Sequence, residues 1–94
     1  SDACGRNIKL TQDHHRQIYA YDNKGKVYIY NKVKDTFVLR CNLLNILGGS
    51  IVLNELLVDE KGNFWLAMDK GLYCLSASAD GKEIVREKAK GRFI

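Results

Sequence analysis

The residues best suited to metal or nucleophilic chemistry in this chain are the adjacent pair His14-His15 and three cysteines, Cys4, Cys41 and Cys74. Neighbouring side chains on extended backbone point to opposite faces, so the histidine pair makes a poor chelate. The cysteines have neither the close pairing of a zinc site nor the density of a disulfide scaffold. Cys4 beside Ala3 resembles a lipidated cysteine, but Ser1 stands where such a signal carries leucine. No Ser/His/Asp set, phosphate-cradling glycine loop or second histidine cluster completes a mechanism. Asp and Glu fall mainly in turn-like segments, where an Asp carboxylate bonds nearby backbone amides. The chain therefore reads as a binding module with no enzymatic activity, metal or cofactor of its own.

The elements that position these groups come from a repeat. Arg6 to Leu39 resembles Gly48 to Ala77, with Tyr19 and Trp65 lying 46 positions apart (65 − 19). That shift also pairs Leu10 with Leu56, Asp13 with Asp59 and Ile18 with Phe64, and a one-residue change then pairs Val27-Tyr28 with Leu72-Tyr73. A rival shift of 37 (62 − 25) matches Asp22-Asn23-Lys24-Gly25 to Asp59-Glu60-Lys61-Gly62, but it sets polar Lys34-Asp35-Thr36 against Gly71-Leu72-Tyr73. The longer period is preferred. Repeats of roughly 40–50 residues made of short strands build β-propeller blades.

Alternating or apolar runs predict strands over Asn7 to Gln12 and Ile51 to Val58, Gln17 to Tyr21 and Asn63 to Met68, then Val27 to Asn31 and Leu72 to Ser76. Polar tips separate them. An inner strand for the second unit is placed at Asn42 to Leu47, and the first unit is read as lacking one. The tail from Lys82 to Ile94 offers a further strand, although Glu83 to Lys90 equally fits a short helix. The expected fold is all-β, with antiparallel four-stranded blades in three parts: 1–41 as a partial blade, 42–81 as a second, and 82–94 as the start of a further strand or tail. Two blades cannot close a ring, so the chain is expected to be a fragment of a longer protein and to associate through exposed blade faces.

Hydrophobic residues make up 46% of the sequence, which excludes a disordered chain, and no stretch of ~18 apolar residues reads as a membrane span. The net charge is +4. Its distribution is uneven, with basic ends and an acidic middle, which favours solvated surface or an acidic glycan over nucleic acid, for which no recognition motif is present.

Leu57-Val58-Asp59-Glu60-Lys61-Gly62-Asn63-Phe64-Trp65-Leu66-Ala67, followed by Gly71-Leu72-Tyr73, resembles the two-component regulator propeller repeat, whose pattern runs Asp-x-x-Gly-Asn-aromatic-Trp-Ile-Gly-Thr and then Gly-Leu-Tyr. Ala67-Met68 depart from its Gly-Thr, and Tyr19 replaces the tryptophan in the first copy. The resemblance makes Tyr19, Asp59, Gly62, Trp65, Gly71 and Tyr73 structural positions: turn closure by Asp59 and Gly62, a flat surface for a neighbouring blade from Trp65, and a backbone reversal at Gly71.

It further implies the periplasmic sensor region of a bacterial hybrid two-component regulator, responding to carbohydrates and serving recognition and dimerisation, with the kinase elsewhere in a membrane-anchored parent. This segment itself is expected to make no membrane contact. In propellers the tips joining second to third strands share a face with the connections between blades. On that basis His14, His15 and Arg16 are expected to join Lys32 and Lys34 in a basic surface for an oligosaccharide ligand. A protein-binding propeller scaffold and a propeller enzyme acting on polysaccharide are the rival readings.

Overall fold

Short runs rich in aromatic and branched residues, each ended by an Asp-containing tip, fold as successive hairpins. The computed structural model describes residues 8–48, 51–77 and the backbone of 84–90. Strands β1 (Lys9–Gln12), β2 (Ile18–Tyr21), β3 (Lys26–Asn31) and β4 (Thr36–Asn42) form one antiparallel sheet in chain order. A one-turn helix, α1 (Leu43–Leu47), leads to a second sheet of β5 (Leu53–Val58), β6 (Phe64–Met68), β7 (Gly71–Ala77) and β8 (Ile84–Lys90), again in chain order. The protein is mostly β. Within 84–90, where strand and helix both fitted the sequence, the backbone is a strand paired with β7, Ser76 opposite Val85. The N-terminal segment carrying Cys4 lies outside the described residues.

The 46-residue period is a physical repeat. Thr11 pairs with Tyr19 and Leu57 with Trp65, while Gln12 pairs with Ile18 and Val58 with Phe64. Across the next ladder Tyr19 faces Ile29 and Trp65 faces Cys74, so the one-residue change falls in the β2–β3 and β6–β7 connections.

The same turn is used three times. Asp13 Oδ1 accepts from the amides of His15 and Gln17, both at 2.8 Å; Asp22 Oδ1 accepts from Lys24 (3.0 Å) and Lys26 (2.9 Å); Asp59 Oδ1 accepts from Lys61 (2.9 Å) and Asn63 (2.8 Å). Three residues after each Asp the backbone turns left-handed, at Arg16 (φ 68°), Gly25 (φ 94°) and Gly62 (φ 84°). The rival 37-residue match is thereby explained. Asp22 to Gly25 and Asp59 to Gly62 are one turn type at different corners, β2–β3 in the first sheet and β5–β6 in the second.

One expected strand is corrected. Asn42 to Leu47 is not an inner strand: Asn42 ends β4, and its Oδ1 accepts from the Leu44 amide (3.0 Å) to cap α1, while the Gly48 amide donates back to the Leu44 carbonyl (2.8 Å). Leu43 is fully buried, and Ile46 and Leu47 pack beside the core, which is helical rather than alternating spacing. The first unit is accordingly a complete four-stranded sheet. Its fourth strand is Thr36–Asn42, in addition to the strands expected from the sequence, and Leu53–Val58 begins the second sheet.

The core lies between the sheets. Tyr19, Tyr21 and Val27 of the first meet Leu56, Val58, Phe64, Leu66 and Leu75 of the second, and the Tyr19 ring stands edge-on to Phe64 with centroids 5.9 Å apart. Burying such side chains stabilises by roughly 1.5–3 kcal/mol each. The β2–β3 turn is gripped at the seam: Leu43 N donates to Gly25 O (2.7 Å) and Leu53 N to Asn23 O (2.9 Å). Gly25 holds a left-handed φ of 94°, and a Cβ there would also lie 3.0 Å from Leu43 Cβ and 2.6 Å from the movable Ile51 Cδ1, so the turn favours glycine.

Candidate functional site

In an antiparallel meander the first and third turns lie at the same end of the sheet. The β1–β2 turn (Asp13 to Gln17) and the β3–β4 turn (Lys32 to Asp35) therefore meet at one end of the first sheet, where they border an open depression of about 440 Å³. Of the five sequence-predicted ligand residues, His15, Arg16 and Lys32 line it. His14 and Lys34 sit on the same two turns, exposed, outside the lining. The two imidazoles meet edge-on with centroids 5.6 Å apart.

The sequence reading missed Gln17, Tyr30 and Asn31, which supply the polar floor. Gln17 Nε2 donates to the Tyr30 carbonyl (2.9 Å), tying the start of β2 to the end of β3, and Asn31 Oδ1 accepts from the Lys34 amide (3.0 Å), shaping the second turn. The Tyr30 hydroxyl donates to Asp35, which holds the phenol above its ordinary pKa. Gln17 immediately precedes β2, and Tyr30 and Asn31 end β3, positions that follow from the meander and not from any motif.

Asp13 fixes the pocket-bearing turn. Besides its two amide donors it accepts from the Tyr19 hydroxyl through Oδ2 (3.2 Å). Burial, then the Asp13 charge and hydrogen bond, push the Tyr19 phenol up to about 12, against a smaller opposing effect of Arg40. Asp13 and Asp35 are thus occupied by local donors, and no ion pair holds Arg16, Lys32 or Lys34 among the described residues. The groups left to face a ligand are a guanidinium, an ammonium, an imidazole, two carboxamides and an aromatic ring. That set binds hydroxyl-rich or anionic molecules by charge-assisted hydrogen bonds and ring contact.

The second sheet repeats the scaffold with different chemistry. Asp59 Oδ2 accepts from Asn63 Nδ2 (3.1 Å) and from the Trp65 indole Nε1 (2.9 Å), where Asp13 has only the Tyr19 hydroxyl. Desolvation raises the Asp59 pKa, but hydrogen bonds from Trp65, Asn63 and Lys61 together outweigh it and hold the carboxyl below its ordinary value. Gly62 and Gly71 (φ 138°) are left-handed, and Tyr73 packs against the core. Trp65, expected to offer a flat surface to a neighbouring blade, is half-buried. It lies on the face opposite Phe64 and Leu66, turned away from the first sheet, and lines a shallow, largely apolar groove of about 380 Å³ with Leu57, Ala67, Leu72 and the acidic Glu55. Cys74, opposite Trp65, is buried, while burial pushes the Cys41 thiol up to about 11, against a smaller opposing effect of Arg40.

Fold and site define a repeat protein of stacked antiparallel meanders with a basic depression at one end of the first sheet. No family model, curated protein or solved structure matches the chain.

Proposed function

We propose that this chain is part of a propeller sensor region that recognises an oligosaccharide, an acidic one in preference to a neutral one. In this reading it serves the periplasmic, recognition and dimerisation half of a bacterial two-component regulator. The observation that carries the proposal is the convergence of Arg16, Lys32 and His15 with Gln17, Asn31 and Tyr30 in one depression whose nearby carboxylates are engaged elsewhere. Support for the propeller comes from the two meanders joined through one core and from the Asp59-Gly62-Asn63-Trp65 hydrogen-bond hub, which gives each distinctive residue of the resembled motif a physical duty.

A propeller ligand site is assembled from several blades, so this chain alone binds weakly and the longer sensor region binds tightly. The test is calorimetry of both against neutral and acidic oligosaccharides at low and raised salt. Acidic ligands should bind the longer region better, lose affinity with salt, and lose about tenfold or more when Arg16 and Lys32 both become Ala. Equal affinity of the double variant would remove the depression from the reading. The scaffold alternative draws on Val33, which stands 94% exposed at the tip between Lys32 and Lys34 as an apolar anchor for a protein. Tight binding to a protein partner, with no response to any sugar, would favour it.

A further inference from the structure

The two sheets are joined head to tail. The first contributes its Tyr19 face and the second its Phe64 face, so unlike surfaces meet. The 46-residue repeat then fixes what remains outside. Trp65 is the counterpart of Tyr19 and Ile18 the counterpart of Phe64, so the outer face of the second sheet is the Tyr19-type surface and the outer face of the first is the Phe64-type surface. One molecule therefore exposes both halves of the interface it already contains.

Burial follows the same pattern. Leu56 is 2% exposed inside the seam, whereas its counterpart Leu10 is 65% exposed on the outer face of the first sheet. On the outer face of the second sheet Leu57 is 57% exposed beside the Trp65 groove.

We propose that a second copy of this chain seats the Leu10 and Ile18 face of its first sheet on the Trp65 and Leu57 face of the second sheet, reproducing between molecules the seam found within one. Ile18 of the incoming copy enters the Trp65 groove as Phe64 meets Tyr19, and Leu10 becomes covered as Leu56 is. The occupant is argued from the repeat: the surface that fits the Tyr19-type face is already known from the seam, and this chain carries another of the same type. Such a contact is heterologous, so copies add in one direction and either close into a ring or extend as a stack. The inference concerns this chain by itself and stands on the repeat: in a longer propeller a flanking blade would take the second copy's place. A seated copy would also cover Ile18, which borders the depression of Arg16 and Lys32.

Sedimentation velocity tests it with two single variants, Leu10→Lys and Leu57→Lys, each blocking one face at an exposed position. Far-UV circular dichroism and Trp65 fluorescence verify that each is folded, and Leu10→Ser with Leu57→Ser replaces the pair if lysine disturbs the sheet. The wild-type chain should associate at micromolar concentration beyond a dimer. Each variant alone should remain monomeric, because it retains only one of two unlike faces. An equal mixture should form a one-to-one heterodimer that grows no further, since the intact Leu10 face of one variant meets the intact Leu57 face of the other. A monomeric wild type, association of either variant on its own, or a mixture that stays monomeric would each overturn the proposal; association of one variant alone would show like faces meeting instead.

Discussion

Replacing Asp59 removes the hub of the β5–β6 turn, and the cost can be worked from its contacts. Oδ1 accepts from the Lys61 and Asn63 amides, and Oδ2 from Asn63 Nδ2 and the Trp65 indole, four hydrogen bonds at 2.8–3.1 Å. The turn is only partly buried, so water replaces some of what is lost and each bond contributes toward the low end of its range, about 0.5–1 kcal/mol. Asp59→Ala should therefore cost about 2–4 kcal/mol. Asp59→Asn should cost about half as much, because a carboxamide keeps the two amide contacts but turns a donor toward Trp65 Nε1.

Urea unfolding followed by the fluorescence of Trp65, the single tryptophan, measures both variants directly. The pH dependence provides a second reading. The folded-state pKa of Asp59 lies below its ordinary value of 3.8, so the stability it contributes is present above that value and is lost as pH falls through the lowered one. The wild type should lose stability across that acid window, and Asp59→Ala should lose less. A loss for Asp59→Ala below about 0.5 kcal/mol, within the range of an ordinary surface change, would refute the hub.

Arg16 holds a left-handed backbone (φ 68°) where the two sister turns use glycine, so Arg16→Gly should stabilise by about 0.5–1 kcal/mol. Gly62→Ala, with open space around its Cβ, should destabilise by about 1–2 kcal/mol through backbone strain alone; both are read as shifts in urea midpoint. Phe64→Ala empties the seam beneath Tyr19 and should cost about 3–5 kcal/mol, whereas Trp65→Ala, on the outer face, should cost less than Phe64→Ala by the same assay. At alkaline pH, Cys41 (about 11) and Tyr19 (about 12) both have folded values raised above their ordinary 9.0 and 10.0, so the stability each contributes is present below those ordinary values. Thermal unfolding should show it falling from about pH 9 toward 12, with Tyr19→Phe flattening the upper part.

Much of the fold was legible because its signals are local. The short aromatic and apolar run Phe64 to Met68 and the Asp-to-Gly spacing of the turns specify hairpins, and the pairing of Tyr19 with Trp65 set the repeat that the ladders follow. Thr36–Asn42 went unread because it follows a turn whose left-handed residue is Asp35 (φ 53°), without the glycine that marks Gly25 and Gly62. Leu43–Leu47 fits either element because five residues, four of them apolar around Asn45, carry too little period to separate strand from helix, and the deciding contact, Leu43 N to Gly25 O, comes from a distant turn. In the site, charge identified His15, Arg16 and Lys32. Gln17, Tyr30 and Asn31 enter it only because the meander brings the end of β3 beside the start of β2.

The strand order has a consequence for how the chain reaches this structure. Within each sheet every strand pairs with its neighbour in sequence, so each ladder closes over a short stretch of chain and loses little loop entropy. Hairpins of this kind form on a scale of about 1–10 μs, and the non-local event left over is the docking of one meander on the other around Leu43, Leu53 and Phe64. The three aspartate turns then act early and govern how fast the chain folds, while the seam forms late and governs how long the native state survives before opening. A kinetic record of Asp59→Ala should show its loss mainly in the folding limb, and of Phe64→Ala mainly in the unfolding limb, dividing the molecule into parts that set its speed of assembly and parts that set its lifetime.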